Sequence, residues 1–312
     1  MNKYDKQYKQ KQLRIRLDLE KMYSQMVEDL VSATSLLDLP LDEYVYFKNY
    51  PALKKKADEL IKNLGTKLNL YINNQLSSVW SLSNSKNDNL IDQTFSRYNK
   101  IAPESLKSHN EKALETFRQN KIKGLTLSDR VWSSNANLRQ ELESALSAGL
   151  EKGQSAKSLA KDIKKYLDEP NMRFRRVRDK FGNLRPSKNA LAYNPGQGVY
   201  RNSQANALRL AKETINRAYR EADHLRWSQM PFVTGYKLRN SERKATVCDI
   251  CAKMNGTVFP KSYKFIGLHI GCLCTATPVL CSEADMIRIV NGEDVEVKEP
   301  EMPVKNLQQY QS

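Results

Sequence analysis

Cysteine is missing from the first 247 of 312 residues, and histidine is scarce throughout, with only His109, His224 and His269. The five cysteines, Cys248, Cys251, Cys272, Cys274 and Cys281, crowd into one part of the chain. That clustering argues against a disulfide framework spread over a secreted fold, and for a reducing compartment with a local metal site. Nor is there a run of about 18 uninterrupted apolar residues, and no apolar h-region follows Met1 to Gln12. The expectation is a chain with no membrane anchor and no secretory route. The first 120 residues also lack clustered histidines and paired acids, so no catalytic unit is expected there, and the chain is read as non-enzymatic.

What is present is length, positive charge and helical patterning. The length suits two or three compact units, and 40% hydrophobic with 28% charged residues lies near the globular average. Fifty-one Lys and Arg against 35 Asp and Glu leave a net charge of +16, which favours polyanionic partners, nucleic acid being the commonest. The excess is local. Residues 171–220 carry nine Arg and three Lys against Asp179 and Glu213, a balance of +10.

The fold class expected is mainly α, with a small α+β module at the C-terminal end containing a Cys/His zinc-type knuckle. Leu19, Met22, Tyr23, Met26, Val27 and Leu30 share one helical face, with Pro40 bounding the segment. Leu53 through Val79 form a second stripe, predicting a long amphipathic helix over Ala52 to Leu82. Ser83 to Asn89 are rich in Ser, Asn and Asp and read as a loop. Weaker helical patterns follow at Leu90 to Tyr98 and Pro103 to Asn120. Leu138 to Gly149 and Leu159 to Leu167 predict a helical hairpin, with Gly153 as its left-handed closing residue and Ser155 as the next cap.

From Met172 to Tyr200 the helical stripe is lost, and a basic two-stranded ribbon turning near Gly182 is expected. Arg173, Arg175, Arg176, Arg178 and Arg185 are its candidate nucleic-acid-binding residues. The repeat Leu208, Ala211, Ile215, Ala218, Ala222 and Leu225 predicts a helix over Gln204 to Trp227; Arg209, Glu213 and Arg217 on it read as ordinary surface ion pairs. Phe232 to Leu238 reads as a strand with Gly256 to Pro260 as a hairpin edge. The end of the chain, 281–312, holds seven acids against three bases. It is expected to be a flexible or partner-bound tail with one short helix.

The chemistry lies in Cys248-Asp249-Ile250-Cys251 and, after seventeen intervening residues, His269-Ile270-Gly271-Cys272-Leu273-Cys274. Thiolates and an imidazole at these spacings suit tetrahedral Zn²⁺ in a closed, structural site. Five candidate ligands compete for four places, so either Cys272 or Cys274 is a spectator or an alternative ligand, and Cys281 lies outside the pattern. Two other readings exist. Reduced core cysteines without metal would give the same residues, and a redox CxxC would need a thioredoxin-like unit that does not precede it.

Around these motifs the sequence resembles the Mu F-like head-morphogenesis family of tailed bacteriophages. The resemblance rests on Tyr200-Arg201-Asn202, on the helix from Asn206 to Ala218 with Glu213 in it, on Cys248-x-x-Cys251, on Asn255-Gly256 and on His269-x-x-Cys272-x-Cys274. It covers about Thr126 to Pro278. It departs where the family commonly has Pro-Asn and Arg, here Ile270-Gly271 and Leu273. The resemblance implies a minor head protein inside the virion head near the portal, made in the host cytoplasm. Its partners would be portal and head proteins, and packaged double-stranded DNA held without sequence preference. Serial domains follow: helices over 1–120, the Mu F-like domain over 121–280 with the ribbon at 171–200 and the knuckle at 248–274, and the tail. Two other functions are compatible with a basic chain of this kind, an effector or toxin-type enzyme delivered by the Mu F-like module and a DNA-binding regulator; no helix-turn-helix supports the second.

Overall fold

The three-and-four spacing of apolar residues becomes helix in the computed structural model, which describes residues 2–35, 37–40, 43–150, 155–169, 176–193, 202–240, 247–269 and 271–303. The helices are α1 (Lys3–Thr34), α2 (Pro51–Ser96), α3 (Glu111–Gln119), α4 (Leu127–Ser134), α5 (Leu138–Leu150) and α6 (Ala156–Asp168). A ribbon of β1 (Arg176–Arg178) and β2 (Leu184–Pro186) leads to α7 (Lys188–Ala192) and the long α8 (Ser203–Ser228). The chain continues with β3 (Val233–Arg239), α9 (Asp249–Lys253), β4 (Val258–Pro260), β5 (Thr275–Leu280) and α10 (Glu283–Val290). The fold is mainly α with a small α+β module, as the sequence implied. Among the described residues no helix is long and apolar enough to cross a membrane.

Two compact units emerge, each gathered from distant segments: residues 1–12, 72–120 and 212–312, and residues 13–71 and 121–211. They cut across the expected serial boundaries, because α1, α2 and α8 are each long enough to supply residues to both.

The unit built from 13–71 and 121–211 buries Ile15, Leu19, Leu53, Leu64, Leu142, Leu146 and Ile163. Thr126 and Asp129 form a reciprocal capping box at the start of α4, satisfying two otherwise unpaired N–H groups. α5 and α6 form the expected hairpin, and the Ser155 side chain caps α6 by accepting from Ser158 N. Gly153 lies outside the described residues. Glu141 is buried at the start of α8, where Oε1 accepts from Ser203 N at 3.0 Å and Oγ at 2.7 Å. A carboxylate there answers both the open N–H and the positive end of the helix dipole. β1 and β2 pair antiparallel with Val177 opposite Arg185, and Gly182 takes φ +83° in the turn. The two-stranded ribbon forms over 176–186 with its turn at Gly182 as expected, but the span from Met172 to Tyr200 is not all ribbon, since Lys188–Ala192 form the helix α7 and the two ends of that span lie outside the described residues.

The other unit carries an antiparallel sheet in the order β4, β3, β5. Its core includes Phe95, Trp227, Phe232, Tyr236, Phe259, Phe265 and Leu268 together with Cys251, Cys272 and Cys274. Gly235 is required where strands crowd: a Cβ there would lie 2.2 Å from the Phe259 carbonyl oxygen. Two expectations need correcting in this unit. Ser83 to Asn89 are not a loop but the continuation of α2, and Leu90 lies in the same helix. Ser83 Oγ donates to the buried Asp223 carboxylate at 2.6 Å and Asn87 Nδ2 at 3.1 Å, so these polar side chains serve a tertiary partner, and the bond of Asn87 Nδ2 to Ser83 O at 2.9 Å stays within the helix. The tail is not free over its first part: Met286, Ile289, Val290 and Val295 are buried in the core, and residues 304–312 lie outside those described.

Candidate metal centre

Cys248 stands at the N-cap of α9 in an extended conformation, and Cys251 follows in its first turn. This places both thiols at one helix end, Cys248 exposed and Cys251 buried. The second half of the knuckle comes from the chain entering β5. Cys272 N donates to His269 O at 3.1 Å, and Gly271 takes φ +72°, a conformation that needs no Cβ. That bend folds His269 back beside Cys251, while Cys272 and Cys274 point into the core.

Five side chains converge in two overlapping groups, Cys248 with Cys251 and His269, and Cys251 with Cys272 and Cys274. Within each group all ligand atoms lie within 4.8 Å of one another. Cys251 Sγ is 3.1 Å from His269 Nε2 and 3.9 Å from Cys272 Sγ. A tetrahedral site with Zn–S near 2.3 Å has S···S edges of about 3.8 Å and S···N edges of about 3.6 Å. The donor set suits a metal ion, the Cys251–Cys272 separation matches such an edge while Cys251–His269 is shorter, and the cluster could hold an ion. Cys281, as expected, stands outside both groups.

The electrostatics separate the thiols. Hydrogen bonds from the Cys251 and Cys274 thiols, reinforced by the Arg220 charge, hold the Cys272 thiol far below its ordinary range despite burial. The same hydrogen bonding, with burial added, pushes Cys251 and Cys274 up. A metal ion would displace the proton of each thiol that becomes a ligand.

α8 supports the centre from behind, which the sequence reading missed. Arg220 donates from Nη1 to Ile266 O at 2.8 Å, and from Nη2 to Cys272 O at 2.6 Å and Cys274 O at 3.2 Å. Asn216 Nδ2 donates to Cys272 O at 3.3 Å and is itself joined to the Tyr8 hydroxyl. Glu213, read as part of a surface ion-pair ladder, reaches the same loop, its Oε2 accepting from Gly271 N at 3.2 Å. The signal available in the sequence was the polar spacing Glu213, Asn216, Arg220, one face of α8. A cavity of about 10 Å³ beside Cys274, lined also by Tyr8, Tyr219 and Asp223, has room for one water molecule.

The candidate polyanion-binding arginines fare differently. Arg173 and Arg175 lie outside the described residues, and Arg176 contributes its backbone to β1. Arg178 and Arg185 are both exposed on the ribbon, where they also brace its turn. Arg178 Nη1 donates to Gly182 O at 2.7 Å and Arg185 Nε to Asp179 Oδ2 at 2.7 Å. Asp179 also accepts from Phe181 N and Asn183 N, and these bonds outweigh its desolvation, holding its carboxyl below the usual range. Phe181 projects at the tip of the ribbon, 74% exposed.

Compared with family models, with curated proteins and with solved structures, the chain matches none.

Proposed function

We propose that the chain is a minor head protein of a tailed bacteriophage, of the Mu F-like type, whose C-terminal module folds around one structural zinc ion. The observation that carries this reading is the convergence of Cys248, Cys251, His269, Cys272 and Cys274 on one corner of an aromatic core, at the motif positions on which the resemblance rests. Zinc bound there supplies cross-linking of distant segments and no reaction. The neighbouring cavity admits a water but no substrate, which favours an architectural role over catalysis. The module's three-stranded sheet is small, with β4 only three residues long, and a metal cross-link suits a core of that size.

Within the virion the protein works beside the portal, in head assembly and in the packaging or ejection of DNA. The ribbon supplies contact with double-stranded DNA through phosphates, without reading bases. Arg178 and Arg185 reach solvent while braced, so they present charge at little entropic cost.

Elemental analysis of protein prepared without chelator tests the metal: about one zinc per chain is expected, with a melting temperature that falls when a chelator removes it. Absence of zinc together with an unchanged melt would remove the reading. DNA binding is tested by its salt dependence. Arg178→Ser with Arg185→Ser is expected to reduce the slope of log affinity against log salt by roughly one unit per lost contact, equally for unrelated sequences. If DNA binding is unaltered and binding to a portal protein is lost, the ribbon is an assembly contact.

A further inference from the structure

Among the described residues three cations are buried, Lys86, Arg220 and Arg226. Lys86 meets the carboxylates of Asp5 and Asp223, and Arg226 Nη2 donates to Asp88 Oδ1 at 2.5 Å. Arg220 is different. No carboxylate among the described residues pairs with it: its donors go to the carbonyls of Ile266, Cys272 and Cys274, and its plane lies 4.8 Å from the Phe265 ring centroid. Its Nε is buried without an acceptor, as is that of Arg226, so the missing carboxylate is what sets Arg220 apart. Carbonyl dipoles orient a guanidinium but do not cancel its charge, and the groups beside it that can carry a compensating negative charge are the Cys272 and Cys274 thiols whose carbonyls it holds.

The surrounding loop is nevertheless shaped to admit this side chain. Gly267 takes φ +121°, and a Cβ there would lie 2.5 Å from Arg220 Nη1. The carbonyls that Arg220 holds belong to two of the five candidate ligands. A divalent ion bound by three thiolates and a neutral imidazole carries a net charge of −1, whereas four thiolates would leave −2. Only the first is matched by a single guanidinium.

We propose that Arg220 is the counter-cation of the metal centre, and that its charge selects three thiolates plus His269 over four thiolates. The inference rests on the metal reading above. Cys248, Cys251 and His269 then take three places; Cys272, 3.9 Å from Cys251 Sγ, takes the fourth and Cys274 stays a thiol. Arg220 is a positioning residue, acting on the ion through charge and through the ligand backbone.

The test uses the full chain with Co²⁺ as a spectroscopic probe and Zn²⁺ in competition with a chromophoric chelator. The intensity of the thiolate-to-cobalt charge-transfer band in the parent protein should correspond to three thiolates. Arg220→Gln keeps amide donors but loses the charge, and should weaken Zn²⁺ binding by about 10- to 100-fold, the usual range for supporting residues around a metal. Arg220→Lys keeps the charge and should restore most of that loss. A count of four thiolates, a Gln variant that binds as tightly as the parent, or a Lys variant as weak as the Gln variant overturns the inference while leaving the metal in place. A parent chain with no cobalt bands overturns the metal reading itself, and this inference with it. Should Arg220→Gln fail to fold, the thiolate count and the Lys variant still decide.

Discussion

Replacing Lys86 by Met removes a cation that stands between two buried carboxylates. Lys86 Nζ is in contact with Asp223 Oδ2 and lies 3.7 Å from Asp5 Oδ1, all three side chains being 8% exposed or less. Met matches the aliphatic stem, so little volume is lost. What remains is uncompensated charge, since Ser83 and Asn87 donate to Asp223 and Tyr219 to Asp5 but none of them neutralises it. Removing one partner of a buried pair costs about 3–5 kcal/mol, a large part of a normal folding free energy. Burial already lifts the Asp223 carboxyl above its ordinary range, with Lys86 opposing. Without Lys86 it rises further. A folded carboxyl raised above its unfolded value favours the fold fully below the unfolded pKa and loses that contribution as pH rises through the folded one. The gap between Lys86→Met and parent should therefore narrow in acid and widen toward neutral and alkaline pH. Urea unfolding followed by tryptophan fluorescence reads this, because Trp80 and Trp227 both belong to this unit. Adding Asp223→Asn to Lys86→Met should recover part of the loss. A cost below about 1 kcal/mol, unchanged with pH, would refute the account of a dry, mutually dependent pair.

Cys281→Ser should leave zinc content unchanged while Cys251→Ser abolishes it, measured by elemental analysis of the purified variants; equal losses would dissolve the distinction between ligand and bystander. Thr126→Ala removes the capping box of α4 and should cost about 1 kcal/mol, visible as faster amide exchange in Leu127–Ser134. At Gly149 a Cβ would stand 2.4 Å from Leu159 Cδ1, so Gly149→Ala should cost about 1–3 kcal/mol in thermal unfolding unless Leu159 changes rotamer. Glu141→Leu leaves the buried Ser203 N–H and hydroxyl without their acceptor; a loss of about 1–3 kcal/mol is expected, and a neutral result would mean that water replaces the carboxylate.

The features that could be read from the sequence are those whose cause is local. The apolar spacing from Leu53 to Val79 reports one face of one helix, and Asp179 and Gly182 report one turn. The Cys248 to Cys274 pattern is also short-range, because metal ligands must come from tight bends. Ser83 to Asn89 misled because the partner that makes their polarity helical is Asp223, well over a hundred residues away. In the tail the short helix is legible, but net negative charge pointed to an exposed segment, whereas the i, i+3, i+4 pattern of Met286, Ile289 and Val290 is enough to anchor that helix in the core.

α8 shows why the support behind the candidate site escaped notice. Its apolar repeat predicts the helix, and Ala211, Ile215, Ala218 and Ala222 of that seam are buried. Beside that seam runs a second buried stripe of Asn216, Tyr219, Arg220, Asp223, Arg226 and Trp227, each 7% exposed or less. Hydrophobic periodicity cannot register such a stripe, since polar residues at helical spacing look the same whether they face water or a neighbouring element. The difference lies in their partners. Asp223 is matched to Lys86, Arg226 to Asp88 and Asn216 to Tyr8, each drawn from a segment distant in sequence. Asp223 and Arg226 each meet an opposite charge, although Arg226 Nε is left without an acceptor, whereas Arg220 meets no carboxylate among the described residues and donates to carbonyls beside a ring. Among the described residues the other buried cations, Lys86 and Arg226, are paired with carboxylates, and Arg220 faces a thiol cluster, a place for negative charge that a metal–thiolate complex would supply.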